Sequence, residues 1–301
     1  MINFAADTHR GCIREHNEDC YRADPAAGLW LVADGVGGHT NGEIASAITS
    51  DTTHDTYVET GDLVGAVTAA HQAVLDAIQE RDNVSNMGST IVALALKGMD
   101  YQIAWVGDSR AYLWDGELKL LTRDHSYVEA LIDKGMITPQ EALRHPKRNI
   151  ITQSIGISPQ SNLKVDVVSG TLLPDQKILL CSDGLNDEVS PPKLAKLFGQ
   201  PLPPEPQVAE LIKAALAAGG RDNVTVLVLA PEEQVSKHRP YSPSIPLSNL
   251  TDGSDLDATI VRRAFTPPTT STSWFTLHSN KIILAVILCA ITAAAITFWP
   301  A

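Results

Sequence analysis

Apolar residues along the chain fall into two rhythms. Leu29-Trp-Leu-Val-Ala33 is a continuous apolar run that stops at Asp34-Gly35 and opens into glycines at Gly37 and Gly38. Glu43 to Tyr57 and Leu63 to Arg81 contain no proline, and the second places Val67, Ala70, Val74, Ala77 and Ile78 at helical spacing. They predict two amphipathic helices with Gly61-Asp62 between them. Ile91 to Lys97, Tyr101 to Val106, Arg110 to Trp114 and Glu117 to Leu121 are short runs bounded by Gly, Asp or Lys, which predicts an antiparallel meander. Residues 126 to 150 turn helical again, with Thr138-Pro139 as a helix start and His145-Pro-Lys-Arg148 as a basic exit. Strands are expected again at Leu163 to Val168, Lys177 to Cys181 and Val224 to Ala230, with a helix at Gln207 to Ala217 ended by Gly219-Gly220. The polar first 28 residues predict a strand or two around an exposed, charged turn at Arg14-Glu-His-Asn-Glu-Asp19. Strands and helices in separate blocks indicate an α+β fold, a four-layer α-β-β-α sandwich of two mainly antiparallel sheets.

The rhythm stops at Pro231. Residues 231 to 281 are rich in Pro, Ser and Thr without a sustained apolar period, which marks a disordered linker spanning roughly 40 Å as a flexible coil. Residues 282 to 299 then run without a charge for 18 residues, or about 27 Å as a helix, close to the thickness of a bilayer core. The pattern predicts a C-terminal transmembrane helix, with Lys281 on the cytoplasmic side and Trp274 and Trp299 as interface aromatics. Only Pro300 and Ala301 follow, so the expected arrangement is a single-pass tail anchor with residues 1 to 230 in the cytoplasm.

Composition narrows the chemistry. Hydrophobic residues make up 44% and charged residues 19% of the 301, a globular balance. The net charge of -12 lies wholly in residues 1 to 230, because five acids and five bases cancel beyond them. An acidic surface argues against nucleic acid, which needs basic patches, and suits metal cations. Cys12, Cys20, Cys181 and Cys289 show no paired spacing and read as reduced thiols.

The acids have a pattern of their own. Three strand-like runs end in an aspartate followed by a small residue, at Asp34-Gly35, Asp108-Ser109 and Asp183-Gly184, and Asp222-Asn223 precedes a fourth strand. A lone Asp-Gly is more often a hairpin turn, as expected at Asp115-Gly116 between two strands. Acids gathered on one rim of a sheet repel one another unless cations sit among them. Oxygen-only ligands point to magnesium or manganese, and a pair of such ions can ionise a water and clamp a phosphoryl group.

Arg14-Glu-His-Asn-Glu-Asp19, Asp34-Gly-Val-Gly-Gly-His39, Gly88-Ser-Thr90, Gly107-Asp-Ser-Arg110, Asp124-His-Ser126, Asn149-Ile-Ile-Thr152, Ser182-Asp-Gly-Leu185 and Arg221-Asp-Asn-Val-Thr225 follow one another in the order seen in a known family. In this, residues 1 to 230 resemble the bacterial metal-dependent serine/threonine protein phosphatases (type 2C, PPM). The resemblance implies two Mn2+ or Mg2+ ions, with Asp34 bridging them, the Gly35 carbonyl on one, and Asp183 and Asp222 on the other. Glu18 and Asp19 would hold metal-bound waters, Asp108 would help bind a third, weaker ion, and Arg14 would grip the substrate phosphate. The implied reaction is in-line attack of metal-bound hydroxide on phosphoserine or phosphothreonine, without a phosphoenzyme. Relatives outside bacteria carry a histidine directly after the Asp-Gly, where this chain has Val36; His39 is the candidate general acid here, with water as the alternative. The segment from Ser126 to Arg148 resembles the family's flap.

The expected partners are phosphorylated proteins, a Ser/Thr kinase and its substrates among them, at a bacterial inner membrane. Asp252-Gly-Ser-Asp-Leu-Asp-Ala-Thr259 reads either as solvated linker or as a phosphothreonine docking site, at Thr259, for a forkhead-associated domain. The rival from another class is a membrane-tethered pseudophosphatase that binds phosphoproteins without hydrolysing them; a phosphoesterase for small phosphates is a third reading.

Overall fold

The computed structural model describes residues 1–37, 41–80, 87–158 and 163–232. Pro231, expected as the first linker residue, ends the last strand and pairs with Ile2; the proposed linker beyond Glu232, the membrane span at 282–299, Thr259 and His39 lie outside these residues. Among the described residues, no helix is long and apolar enough to cross a membrane.

The chain forms β1 (Ile2–His9), β2 (Asp19–Asp24), β3 (Leu29–Gly37), α1 (Asn41–Thr60), α2 (Leu63–Gln79), β4 (Met87–Ser89), β5 (Ile91–Lys97), β6 (Asp100–Val106), β7 (Arg110–Trp114) and β8 (Leu118–Leu120). It continues through α3 (Tyr127–Asp133), α4 (Pro139–Ala142), β9 (Asp166–Thr171), β10 (Lys177–Cys181), α5 (Asp183–Asn186), α6 (Pro191–Phe198), α7 (Pro204–Ala218) and β11 (Val224–Pro231). One sheet has the order β1-β11-β10-β7-β8 and the other β2-β3-β5-β6-β9, with β4 added to the end of β3. The strand pairs are antiparallel.

Three apolar cores separate the layers. Trp30, Val32, Leu94, Ile103, Leu180 and Leu227 fill the space between the sheets. Leu29, Leu31, Ala93 and Ala104 alternate with them and face Leu63, Val67 and Val74 of α2. On the other side, Leu179, Val226 and Val228 meet Phe198, Leu211 and Ala215 of α6 and α7. Both faces of the central strands are therefore apolar, which is why Leu29 to Ala33 is continuous and not alternating. Trp30 is 2% exposed, and burying a side chain of this size contributes on the order of 3 kcal/mol.

The structure alters the expected meander. β5 and β6 form a hairpin in one sheet, β7 and β8 a hairpin in the other, and the chain changes sheets at Gly107-Asp108-Ser109. Asp115 and Gly116 make the turn of the second hairpin, as the sequence predicts. Thr138 starts α4 with a capping box closed by Glu141.

α1 has an unusual inner face, with Ser46, Thr49, Ser50 and Thr53 buried instead of large apolar residues. Small side chains let its start come close to β3: a Cβ at Gly35 would lie 2.2 Å from the Gly42 carbonyl oxygen. Only glycine permits that approach, so the start of α1 packs directly on the backbone at Gly35.

Candidate active site

The acids do not share the rim of one sheet, as the strand-end pattern suggests; both sheets contribute. Asp34 lies inside β3, which runs on to Gly37 because β4 pairs with Gly35, Val36 and Gly37. Asp19 of β2 stands opposite Asp34 in the ladder. Asp108 sits where the chain crosses between sheets, Asp183 opens α5 directly after β10, and Asp222 precedes β11. The site is thus built at one end of the sandwich, where strands of both sheets deliver their acids.

Electrostatics shows how closely these acids crowd. Burial, followed by the charges of Asp19, Asp183, Asp108 and Asp222, raises the Asp34 carboxyl well above its ordinary range. Asp183 is raised in the same way, by burial and then by Asp108, Asp187 and Asp222. Burial and Asp124 push Asp108 up to about 7. Burial pushes Asp19 up to about 6, against hydrogen bonds from Thr225 and Ser182 that favour its charged form. Carboxylates that repel one another out of water are an arrangement that a divalent cation relieves.

Two orphaned atoms give the same indication. The Ser182 and Thr225 hydroxyls donate to Asp19 Oδ2 at 2.7 and 2.6 Å, while Asp19 Oδ1 is buried without a partner. Glu18 Oε1 is buried and unpartnered as well. Such acceptors suit cations or their bound waters, so the residues present fit a magnesium or manganese site. Among the described residues, no three His, Cys, Asp or Glu side chains stand together as they are in a group that could hold a metal ion.

Arg14 occupies the place of a cation. Its Nη2 donates to Asp222 Oδ2 at 2.7 Å, with 48% of the arginine side chain and 37% of the aspartate side chain exposed. Burial works to lower the arginine pKa, and the charge and hydrogen bond of Asp222 outweigh it and raise it. The residue expected on substrate phosphate therefore rests on a residue expected to ligate metal.

The surrounding polar residues act as supports. Thr90 Oγ1 accepts from the Asp34 backbone N–H at 3.2 Å and shares a 2.7 Å hydrogen bond with Ser109. Ser89 Oγ donates to the Asp34 carbonyl at 3.1 Å. Arg110 forms a forked pair with Asp124. His125 fixes the sheet crossing, accepting from Gly107 N–H on Nδ1 at 3.1 Å.

Asn223 has a role that the motif alone does not reveal. Its Oδ1 accepts from Glu18 N–H at 2.8 Å, and its Nδ2 donates to the carbonyls of Arg10 and His16 at 3.0 and 2.9 Å. One buried amide thereby clamps the loop bearing Arg14, Glu18 and Asp19 onto the start of β11. Position before a strand and next to Asp222 was its only sequence signal.

Comparison with known proteins agrees with this geometry. The family model for protein phosphatase 2C matches residues 13–218. The serine/threonine protein phosphatase PstP of Mycobacterium tuberculosis is 36% identical over 242 residues, covering 76% of this chain and 45% of PstP. The chain therefore spans about half the length of that relative. The serine/threonine phosphatase stp of Listeria monocytogenes is 31% identical over 236 residues, covering 74% of this chain and 93% of its own length. The crystal structure of the PstP catalytic domain in complex with two manganese ions superposes with a TM-score of 0.67 at 33% identity, covering 76% of this chain and 97% of that one. The Streptococcus agalactiae serine/threonine phosphatase gives a TM-score of 0.70 at 33% identity, with coverage of 77% and 100%.

Proposed function

Because the chain belongs to the protein phosphatase 2C family, we propose that it is a metal-dependent phosphoprotein phosphatase acting on phosphoserine and phosphothreonine. The observation that carries this reading is the convergence of Asp34, Asp108, Asp183 and Asp222 from both sheets, buried enough to raise three of them, with Arg14 at their edge. Asp34, the Gly35 carbonyl, Asp183 and Asp222 would hold two Mn2+ or Mg2+ ions, and Asp108 would add to a third. When bound, such ions supply a water of lowered pKa for in-line attack on phosphorus and neutralise the phosphoryl oxygens.

The chain's own residues do the rest. Asp19, fixed by Ser182 and Thr225, and Glu18, fixed through its backbone by Asn223, present acceptors that orient water at the acids. Arg14 leaves Asp222 and offers its planar fork to the phosphate, a role open to a half-exposed guanidinium. The leaving oxygen takes its proton from His39 or water.

The test is hydrolysis of a phosphothreonine peptide with manganese or with chelator. Activity should require the metal and fall by more than about a hundredfold in Asp183→Ala. Hydrolysis that ignores both changes overturns the reading.

We further propose that residues 282–299 tether the domain to a bacterial inner membrane, near a Ser/Thr kinase and its substrates. A chain ended after Arg263 should leave the membrane fraction, and a full chain that never enters it removes the proposal. Thr259, once phosphorylated, is proposed to dock a forkhead-associated domain; binding of the phosphorylated tail peptide that survives Thr259→Ala would count against this.

A further inference from the structure

Asp166 lies outside every motif by which the chain resembles its family, yet it stands two hydrogen bonds from the peptide that leads into Asp108. It sits on β9, opposite Trp105 of β6 in the antiparallel ladder. Its Oδ2 meets His125 Nε2 at 3.2 Å, and its Oδ1 pairs with the Lys164 ammonium at 2.6 Å. Burial works to raise the Asp166 carboxyl, and the hydrogen bonds of Lys164 and His125 outweigh it and hold it below its ordinary range. Asp166 is therefore a charged carboxylate, which can only accept.

The consequence passes through the histidine. A neutral imidazole has one nitrogen that donates and one that accepts, and its partners choose which. Asp166 demands the proton on Nε2, which leaves Nδ1 free to accept from the Gly107 N–H at 3.1 Å. The opposite tautomer would set two N–H groups against each other. The Gly107 carbonyl accepts in turn from the His125 backbone N–H at 2.8 Å, so both polar groups of this glycine end on one histidine. The ring cannot turn away, because it is 8% exposed and stacks on Trp105 with 22° between the planes. Gly107 itself has φ of +110°, and a Cβ there would lie 2.6 Å from Thr90, so the crossing adopts a backbone that its surroundings must hold.

We propose that Asp166 is a positioning residue for Asp108: by fixing the tautomer of His125 it locks the Gly107 peptide and so aims the next carboxylate at the third, weaker ion. The proposal rests on the phosphatase reading above. Asp166 touches neither metal nor substrate and acts only through the imidazole.

The test follows the tautomer and the metal separately. In histidine-selective 15N spectra of the detergent-solubilised full chain, in chelator and at a pH where histidine is ordinarily neutral, His125 should carry its proton on Nε2 alone. Asp166→Asn keeps the shape but offers an amide that can accept or donate, so the second tautomer should appear. Manganese titration, followed by the spin signal of free Mn2+, should show the weakest ion bound about tenfold more weakly in Asp166→Asn, with the tighter ions unchanged. His125→Gln has an amide oxygen that can accept from Gly107 with no tautomer to choose, so adding Asp166→Asn to it should change nothing further. The proposal is overturned by an Nδ1–H form in the parent, by a single tautomer that survives Asp166→Asn, or by a parent without a third, weaker ion. Unchanged binding of that ion in Asp166→Asn, equal weakening of all ions, or the same tenfold loss in the His125→Gln background overturns it as well, since the carboxylate would then not be acting on Asp108 through the ring. A parent that binds no manganese sinks the phosphatase reading, and the tautomer then decides alone whether Asp166 governs His125.

Discussion

Asn223 shows what a single amide can do when its three hydrogen bonds run to the loop that carries Arg14, Glu18 and Asp19. Asn223→Ala leaves the Arg10 and His16 carbonyls and the Glu18 N–H short of a partner, which costs about 1–3 kcal/mol for buried groups. Asn223→Asp keeps the acceptor but removes both donors, so it should rescue little. We expect denaturant midpoints to fall in both variants and manganese affinity, read by calorimetry, to weaken in step; unchanged affinity in Asn223→Ala would show that the loop needs no clamp. At this scale the sequence shows which acids flank apolar runs and hides what fixes them. Asp34, Asp108, Asp183 and Asp222 are legible because each follows or precedes an apolar run. The bonds of Asn223 to the loop, and of Ser182 and Thr225 to Asp19, join residues between 163 and 213 positions apart, and no local pattern encodes them.

Among elements, those marked by a period, a bounded apolar run or a cap residue are legible, β8 and the start of α4 included, and β4, α5 and α6 are not. α2 and α7 carry several turns of apolar periodicity, α1 is legible as a long run without proline, and β5, β10 and β11 are bounded apolar runs. β4 has 3 residues and α5 has 4, too few to show a period, and both exist because of neighbours: β4 borrows the end of β3, and α5 is the turn after β10. α6, at 8 residues, was also missed, since its two opening prolines resemble a loop until seen as a helix start. The sheet crossing at Gly107 leaves no mark in the sequence because two hairpins of one sheet and one hairpin in each of two sheets share the same spacing. α5 still controls the site, because a Cβ at Gly184 would lie 1.9 Å from the Asn223 carbonyl oxygen. Gly184→Ala must push α5 away from the Asp222-Asn223 turn and separate Asp183 from Asp222. Overpacking of this kind costs about 1–3 kcal/mol, and a melting point lowered together with about tenfold weaker manganese binding is expected. A variant that binds manganese normally would mean the two acids need not stay close.

For the molecule as a whole, the acid cluster ties stability to pH and to metal with a sign opposite to that of ordinary carboxylates. Burial and Asp124 raise Asp108 from 3.8 in the unfolded chain to about 7 in the fold, so between these values the folded state holds the proton more tightly. Stability in chelator is then full below the lower value and is lost as pH rises through the higher one, a penalty on the order of a few kcal/mol. Asp34 and Asp183 are raised likewise and add to the same slope. Replacing Asp108 by Asn removes its share of the repulsion while keeping the shape. In chelator at pH 8, Asp108→Asn should therefore melt several degrees above the parent, and at pH 4 the two should coincide. Saturating manganese should shrink or invert the pH 8 gap, because ligand that binds only the folded state stabilises the parent more than a variant with one donor fewer. Scanning calorimetry at the two pH values, with and without metal, decides it. A variant less stable than the parent in chelator at pH 8 would show that Asp108 is held charged by its neighbours, and the account of the acids as a repelling cluster relieved by cations would fail with it.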